Sequence, residues 1–131
     1  MYVKKGMSRI IMFALSILFV SAGMAAGGGN ATNGERLWKS RKCNNCHKLT
    51  EKKKVGPGVK GVTKRRSEGW LIKWLKNPQL TWEENDAETR KLRKWKKGLE
   101  KAKKTKMRIK KKLTDQEVSD LIAFMKKNDG G

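Results

Sequence analysis

The feature that most constrains this chain is the segment Cys43-Asn44-Asn45-Cys46-His47, which holds both cysteines and the only histidine among 131 residues. Two thiols separated by two residues, with a histidine next, form the attachment signature of a c-type haem. Each thiol forms a thioether with one haem vinyl group, and the adjacent imidazole becomes a ligand of the iron. The sequence therefore predicts one covalently bound haem c, held by Cys43, Cys46 and His47.

Other interpretations of the paired cysteines fit the chain less well. A thioredoxin-like redox pair belongs to a βαβ unit, and this sequence shows no strand patterns that would form one. A structural zinc site needs four ligands, but the chain has no third cysteine and no second histidine. A disulfide is the usual pairing in exported proteins. The short spacing and the neighbouring histidine favour haem attachment over that pairing.

The N-terminal residues have the order of a secretory signal peptide. Three basic and no acidic side chains occupy 1–9, an apolar run covers 10–22, and small residues dominate 23–26. The apolar run is shorter than the roughly 20 residues of a membrane-spanning helix, which argues against a retained anchor. We expect residues 1–26 to be removed and the protein to be periplasmic. The mature part, 27–131, is long enough for one small domain.

Around the motif, the mature chain resembles the small class I cytochromes c. Residues 33–38 resemble the family's first helix, 55–62 its glycine-proline loop, and 113–124 its C-terminal helix. The resemblance implies an all-α fold with about four helices around one covalently bound haem.

The same resemblance implies two specific contacts. The carbonyl of Pro57 should accept a hydrogen bond from His47, which fixes the orientation and tautomer of the ring and makes it a more basic ligand. Trp38 and Phe124 should meet where the first and last helices cross. The first contact belongs to the haem site and the second to the core.

Two methionines remain after removal of the leader, and one of them is the predicted second ligand of the iron. Met125 shares a helical stripe with apolar neighbours and is predicted to fill the core. Met107 lies in a basic, non-periodic stretch ahead of the last helix, where the resemblance places the axial methionine. We therefore predict His47 and Met107 as the metal ligands. Lys106 could compete as a ligand at alkaline pH, and without either group the iron would be five-coordinate.

Helical patterns predict the remaining elements. The first helix should cover about 33–42, the second should begin after Ser67 and end before Pro78, and a third should begin near Asn85. An apolar stripe predicts that the third helix continues past Gly98; it consists of Leu92, Trp95, Leu99 and Ala102. The last helix should open with a capping box, Thr114 to Glu117.

Three tryptophans allow two interpretations. By resemblance, the indole N–H of any one of them could donate to a haem propionate, as a tryptophan does in part of the family. Ordinary aromatic core is the alternative. The residues are Trp70, Trp74 and Trp82.

The formal net charge of the full chain is +21, and much of it lies in what we call the basic insertion, about 87–112. Within it, residues 90–112 carry fourteen basic side chains and one acidic side chain. A second group, the motif-side cations, surrounds the haem motif: Arg41, Lys42, Lys48, Lys52, Lys53 and Lys54. If the exposed haem edge lies between these groups, as the resemblance implies, they would attract acidic redox proteins.

The alternative for the charge is a solvated basic surface without a particular partner. Weak contact with an anionic membrane surface is a further expectation, and nucleic acid is not expected as a biological partner.

These features together predict a periplasmic electron-transfer protein and not an enzyme, since no histidine besides His47 is available for acid–base chemistry. The main alternative is a subunit docked permanently in a larger redox complex, with the basic insertion as its interface helix. A five-coordinate haem protein that binds small ligands is the other. The chain should be a monomer unless it is such a subunit.

Overall fold

The computed structural model describes residues 28–131, and these form an all-α fold. The described part contains six α-helices and no strand: α1 Ala31–Ser40, α2 Val62–Arg65, α3 Glu68–Lys76, α4 Pro78–Glu84, α5 Ala87–Arg93 and α6 Asp115–Asn128. Two short 3₁₀ turns are added at Cys43–Asn45 and Leu99–Lys101. The predicted fold class is confirmed, with six helices instead of about four. None of the described helices has the length and apolar character of a membrane span. The predicted signal peptide lies outside the described residues.

The crossing of α1 and α6 forms the centre of the fold. The Trp38 and Phe124 rings meet there with centroids 5.9 Å apart, as the resemblance implied. The predicted capping box at the start of α6 is present, with the Thr114 side chain and the Glu117 side chain each bonding the other's backbone N–H. Gly34 allows α1 and α6 to approach each other closely, since its Cα faces the backbone of Asp120.

Replacing Gly34 with alanine should prevent this crossing. A Cβ at this position would lie 2.0 Å from the Asp120 carbonyl oxygen and 2.7 Å from Cβ of Phe124, and backbone cannot move aside as a flexible side chain can. We expect a loss of about 3 kcal/mol or more in the free energy of unfolding, measured by guanidinium denaturation. Gly69→Ala in α3 is the matched control, because nothing lies within 4 Å of its Cβ and the helix should gain about 0.5–1 kcal/mol. Equal stability of both variants would contradict this account.

Helices α3 and α4 are separated by one residue. Helix α3 ends at Lys76, as predicted from Pro78, but a new helix begins at once. Asn77 accepts a hydrogen bond from the backbone N–H of Leu80, and Pro78 occupies the first turn, where its missing N–H costs nothing. Asn-Pro is therefore both the end of one helix and the start of the next.

The predicted third helix is shorter than the apolar stripe indicated. Helix α5 ends at Arg93, and Gly98 has a φ of 89°, in the left-handed region that interrupts a helix. The prediction that one helix continues to Ala102 is wrong. The chain leaves the helix after Arg93 and turns at Gly98, so the four apolar residues do not lie on one helix. The apolar side chains of the stripe still point inward: Leu99 is buried, and Leu92 and Trp95 pack against the core.

Candidate haem site

A cavity of about 380 Å³ lies among the helices and shares its walls with the hydrophobic core. Four of the five residues predicted for the haem site line it, namely Cys43, His47, Pro57 and Met107, whereas Cys46 does not. Core side chains complete the apolar walls: Trp38, Val59, Trp70, Leu71, Trp74, Leu75, Leu121 and Met125. A largely apolar cavity with a few convergent polar groups is what a bound cofactor requires.

The imidazole of His47 is fixed from one side. The turn Cys43–Asn45 ends in a hydrogen bond from the His47 backbone N–H to the Cys43 carbonyl, at 3.0 Å. On the ring, Nδ1 lies 2.8 Å from the Pro57 carbonyl oxygen. Because a carbonyl can only accept, Nδ1 carries the proton and Nε2 keeps its lone pair for a metal.

The loop before Pro57 packs directly against the imidazole. A Cβ on Gly56 would lie 2.4 Å from Cε1 of His47, so only glycine allows this approach. The Gly56 N–H also donates to the Cys46 carbonyl at 2.8 Å, which ties the loop to the motif. The sequence signal for this contact is the glycine-proline pair, which the resemblance had already singled out.

The two motif cysteines are not joined to each other. Cys43 is partly buried in the cavity wall, and Cys46 is exposed. Burial raises the pKa of the Cys43 thiol, so it remains protonated near neutral pH. Since neither sulfur is in a disulfide, both fit the thioether attachment that haem c requires.

Both methionines among residues 28–131 line the cavity. Met107 is partly buried in a stretch without regular secondary structure, and its Sδ accepts a hydrogen bond from Nε1 of Trp74 at 2.9 Å. Met125 lines the cavity from α6 and is buried in the core, as the helical stripe predicted. Two thioether sulfurs thus lie at the cavity wall, and only that of Met107 is oriented by a hydrogen bond.

Comparison with known proteins identifies the family. A family model described as cytochrome c matches residues 31–129, which is most of the chain. The chain belongs to the cytochrome c family. Comparisons with curated proteins and with solved structures gave no match. Membership makes this cytochrome a haem-binding electron-transfer protein with covalently bound haem c, whose iron supplies one-electron redox chemistry.

The tryptophans of this cytochrome use their indole N–H groups within the protein. Trp70 donates to Oγ1 of Thr89 at 3.0 Å, Trp82 donates to the Ala102 carbonyl at 2.8 Å, and Trp74 donates to the methionine. All three side chains belong to the buried core. The contacts therefore favour the aromatic-core interpretation over the propionate donor.

Three cations lie at the cavity wall, and two of them, Arg65 and Arg66, are residues that sequence analysis did not single out. Lys53, Arg65 and Arg66 line the cavity, and the Arg66 guanidinium lies 5.4 Å from the centroid of the Trp70 ring. Arg66 is partly buried, and its side chain makes no hydrogen bond or ion pair with any described residue. Haem is apolar over most of its surface and carries two carboxylates, so these walls fit it. A pair of arginines in a lysine-rich chain is the signal that could have found them.

Proposed function

We propose that this protein is a periplasmic carrier of one electron, with His47 and Met107 as axial ligands of its haem iron. The observation that carries this proposal is that each candidate ligand lines the cavity and is held by its own hydrogen bond, one to Pro57 and one from Trp74. Two ligands held by the protein keep the iron's surroundings nearly constant during electron transfer. A thioether ligand opposite imidazole also favours the reduced iron and raises its potential.

We propose acidic redox proteins as the partners. None of the fourteen cations between 90 and 112 forms an ion pair with a described carboxylate, so their charge is available to a partner. Among the motif-side cations, Lys48 and Lys52 are exposed, and Lys53 bridges the two groups by donating to the Trp95 carbonyl at 3.2 Å. Positive charge on both sides of the cavity would guide an acidic surface to it.

The structure gives less support to a permanently docked subunit. That alternative was motivated by the narrow apolar stripe of the basic insertion, which an interface helix would present to another subunit. The stripe instead faces inward, where Leu92 and Trp95 line the cavity and Leu99 is buried. The segment therefore has no unpaired apolar face of its own to offer a second subunit.

Electron transfer to an acidic redox protein tests the proposed function. The rate should fall steeply as ionic strength rises, and Lys52→Glu should lower the low-salt rate roughly threefold or more. Lys127→Glu on α6 changes the charge equally at another exposed lysine and should leave the rate within about twofold. Equal losses in the two variants would contradict a docking surface beside the haem motif. A rate independent of salt would overturn the proposed class of partner.

A further inference from the structure

Among the described residues, the stretch that carries Met107 has neither backbone–backbone hydrogen bonds nor a proline to order it. We call residues 103–112 the methionine loop. No backbone–backbone hydrogen bond among residues 28–131 begins or ends in this loop. No proline follows Met107 to stiffen it. Its order must therefore come from side chains, because each ordered residue costs about 1–2 kcal/mol of backbone entropy.

The side-chain amide of Gln79 supplies hydrogen bonds that order part of the methionine loop. Gln79 lies in the first turn of α4, and its Oε1 accepts the backbone N–H of Thr105 at 3.1 Å. Its Nε2 donates to the Lys103 carbonyl at 3.3 Å and to Oε1 of Glu83 at 2.7 Å. A glutamine can hold a loop in this way because it offers a donor and an acceptor on one rigid group.

The contact continues from Thr105 to the methionine. Thr105 is only 7% exposed, and its Oγ1 accepts the backbone N–H of Met107 at 3.2 Å. An unbroken series of hydrogen bonds therefore connects Gln79, through the backbone and hydroxyl of Thr105, to the backbone of Met107.

The helix that bears Gln79 is itself firmly held. Trp82 in α4 is 2% exposed, and its indole donates to the Ala102 carbonyl immediately before the loop. Arg93 stacks 4.1 Å from the centroid of the Trp82 ring, and its Nη1 donates to the same carbonyl at 3.1 Å. Hydrogen bonds therefore hold the chain at Ala102, where the methionine loop begins, and Gln79 holds the loop at Lys103 and Thr105.

We propose that Gln79 is a positioning residue for Met107 and keeps the sulfur in reach of the haem iron. The inference rests on the proposed ligation by Met107. It assigns to α4 the task of ordering the methionine loop without any contact between Gln79 and the haem. Loss of the amide should free the loop to release methionine, while the core beneath it stays folded.

The test compares three variants of the haem-loaded protein. Gln79→Met has a similar shape but neither donor nor acceptor, whereas Gln79→Glu keeps an acceptor for the Thr105 N–H and loses the donor to Lys103. Gln116→Met in α6 is the control, since it loses one side-chain hydrogen bond, to Asp120, and Gln116 makes none to the methionine loop. For each variant, the far-red absorption band of methionine-ligated ferric haem is followed as pH rises and deprotonated lysine displaces methionine.

We expect Gln79→Met to weaken methionine coordination about tenfold, which lowers the pH of half-displacement by about one unit. Hydrogen exchange at the Thr105 amide should accelerate about tenfold as well, since that amide loses its acceptor. Gln79→Glu should fall between wild type and Gln79→Met in both measurements. The control should match wild type in both, even if its unfolding midpoint in guanidinium changes.

Unchanged displacement and unchanged Thr105 exchange in Gln79→Met would overturn the proposal, as would equal effects in the Gln116 control. A far-red band that survives in Met107→Ala would instead refute the proposed ligand. Exchange at Thr105 would then still decide whether Gln79 orders the loop, so the two failures are distinguishable.

Discussion

Cys43→Ala/Cys46→Ala should yield a chain that neither retains haem after acid extraction nor completes its fold. The cavity walls and the hydrophobic core are largely the same side chains, including Trp38, Trp74 and Leu121. In the double variant these side chains lose the large apolar cofactor against which they pack, so less apolar area is buried on folding. Since a small domain has a free energy of unfolding of only about 5–15 kcal/mol, we expect this loss to prevent complete folding.

The measurement combines intact mass, a pyridine haemochrome spectrum and circular dichroism of the purified protein. Wild type should carry the mass of one haem in addition to its amino acids, whereas the double variant should not and should lose helical signal. Asn44→Ala/Asn45→Ala is the matched control, because it changes the two exposed residues between the cysteines. Haem that resists extraction from the double variant would contradict thioether attachment, as would a wild-type Cys43–Cys46 disulfide.

The sequence predicts the parts of this site that depend on local chemistry. The motif predicts Cys43, Cys46 and His47, because this spacing lets two thiols and an imidazole reach one haem. The Pro57 carbonyl and the Trp38–Phe124 contact came from the resemblance, and the described structure contains both. Helix α6 was recognisable from its capping box and apolar period, signals that lie within a few residues of each other.

The sequence did not predict the features that depend on tertiary contacts. The stripe of Leu92, Trp95 and Leu99 has helical spacing, yet a turn at Gly98 buries the same residues without a continuous helix. The donor from Trp74 to Met107 joins residues 33 positions apart, and no periodicity reports such a pair. Gln79 likewise carries no sequence signal, because it lies between two predicted helices and its contacts with the methionine loop form only in the folded chain.

Met107→Ala should open one coordination position of the iron, and this is the second large effect that we expect. The far-red band should disappear, the ferrous protein should bind carbon monoxide, and the reduction potential should fall by on the order of 100 mV, because a thioether favours reduced iron. The indole of Trp74 would also lose its acceptor, at a cost of about 1 kcal/mol in stability. The fold should survive, since the Met107 side chain is only partly buried.

Met125→Leu is the decisive comparison, because Met125 is the other sulfur at the cavity wall. Leucine has nearly the same volume, so this variant should keep the far-red band and cost under about 1.5 kcal/mol of stability. The reverse pattern would make α6 the source of the ligand. In that pattern Met125→Leu loses the far-red band and Met107→Ala keeps it. The methionine loop could then move without consequence for the iron. The hydrogen bond from Trp74 favours Met107, since an indole N–H directs one lone pair of the sulfur and leaves the other for the metal.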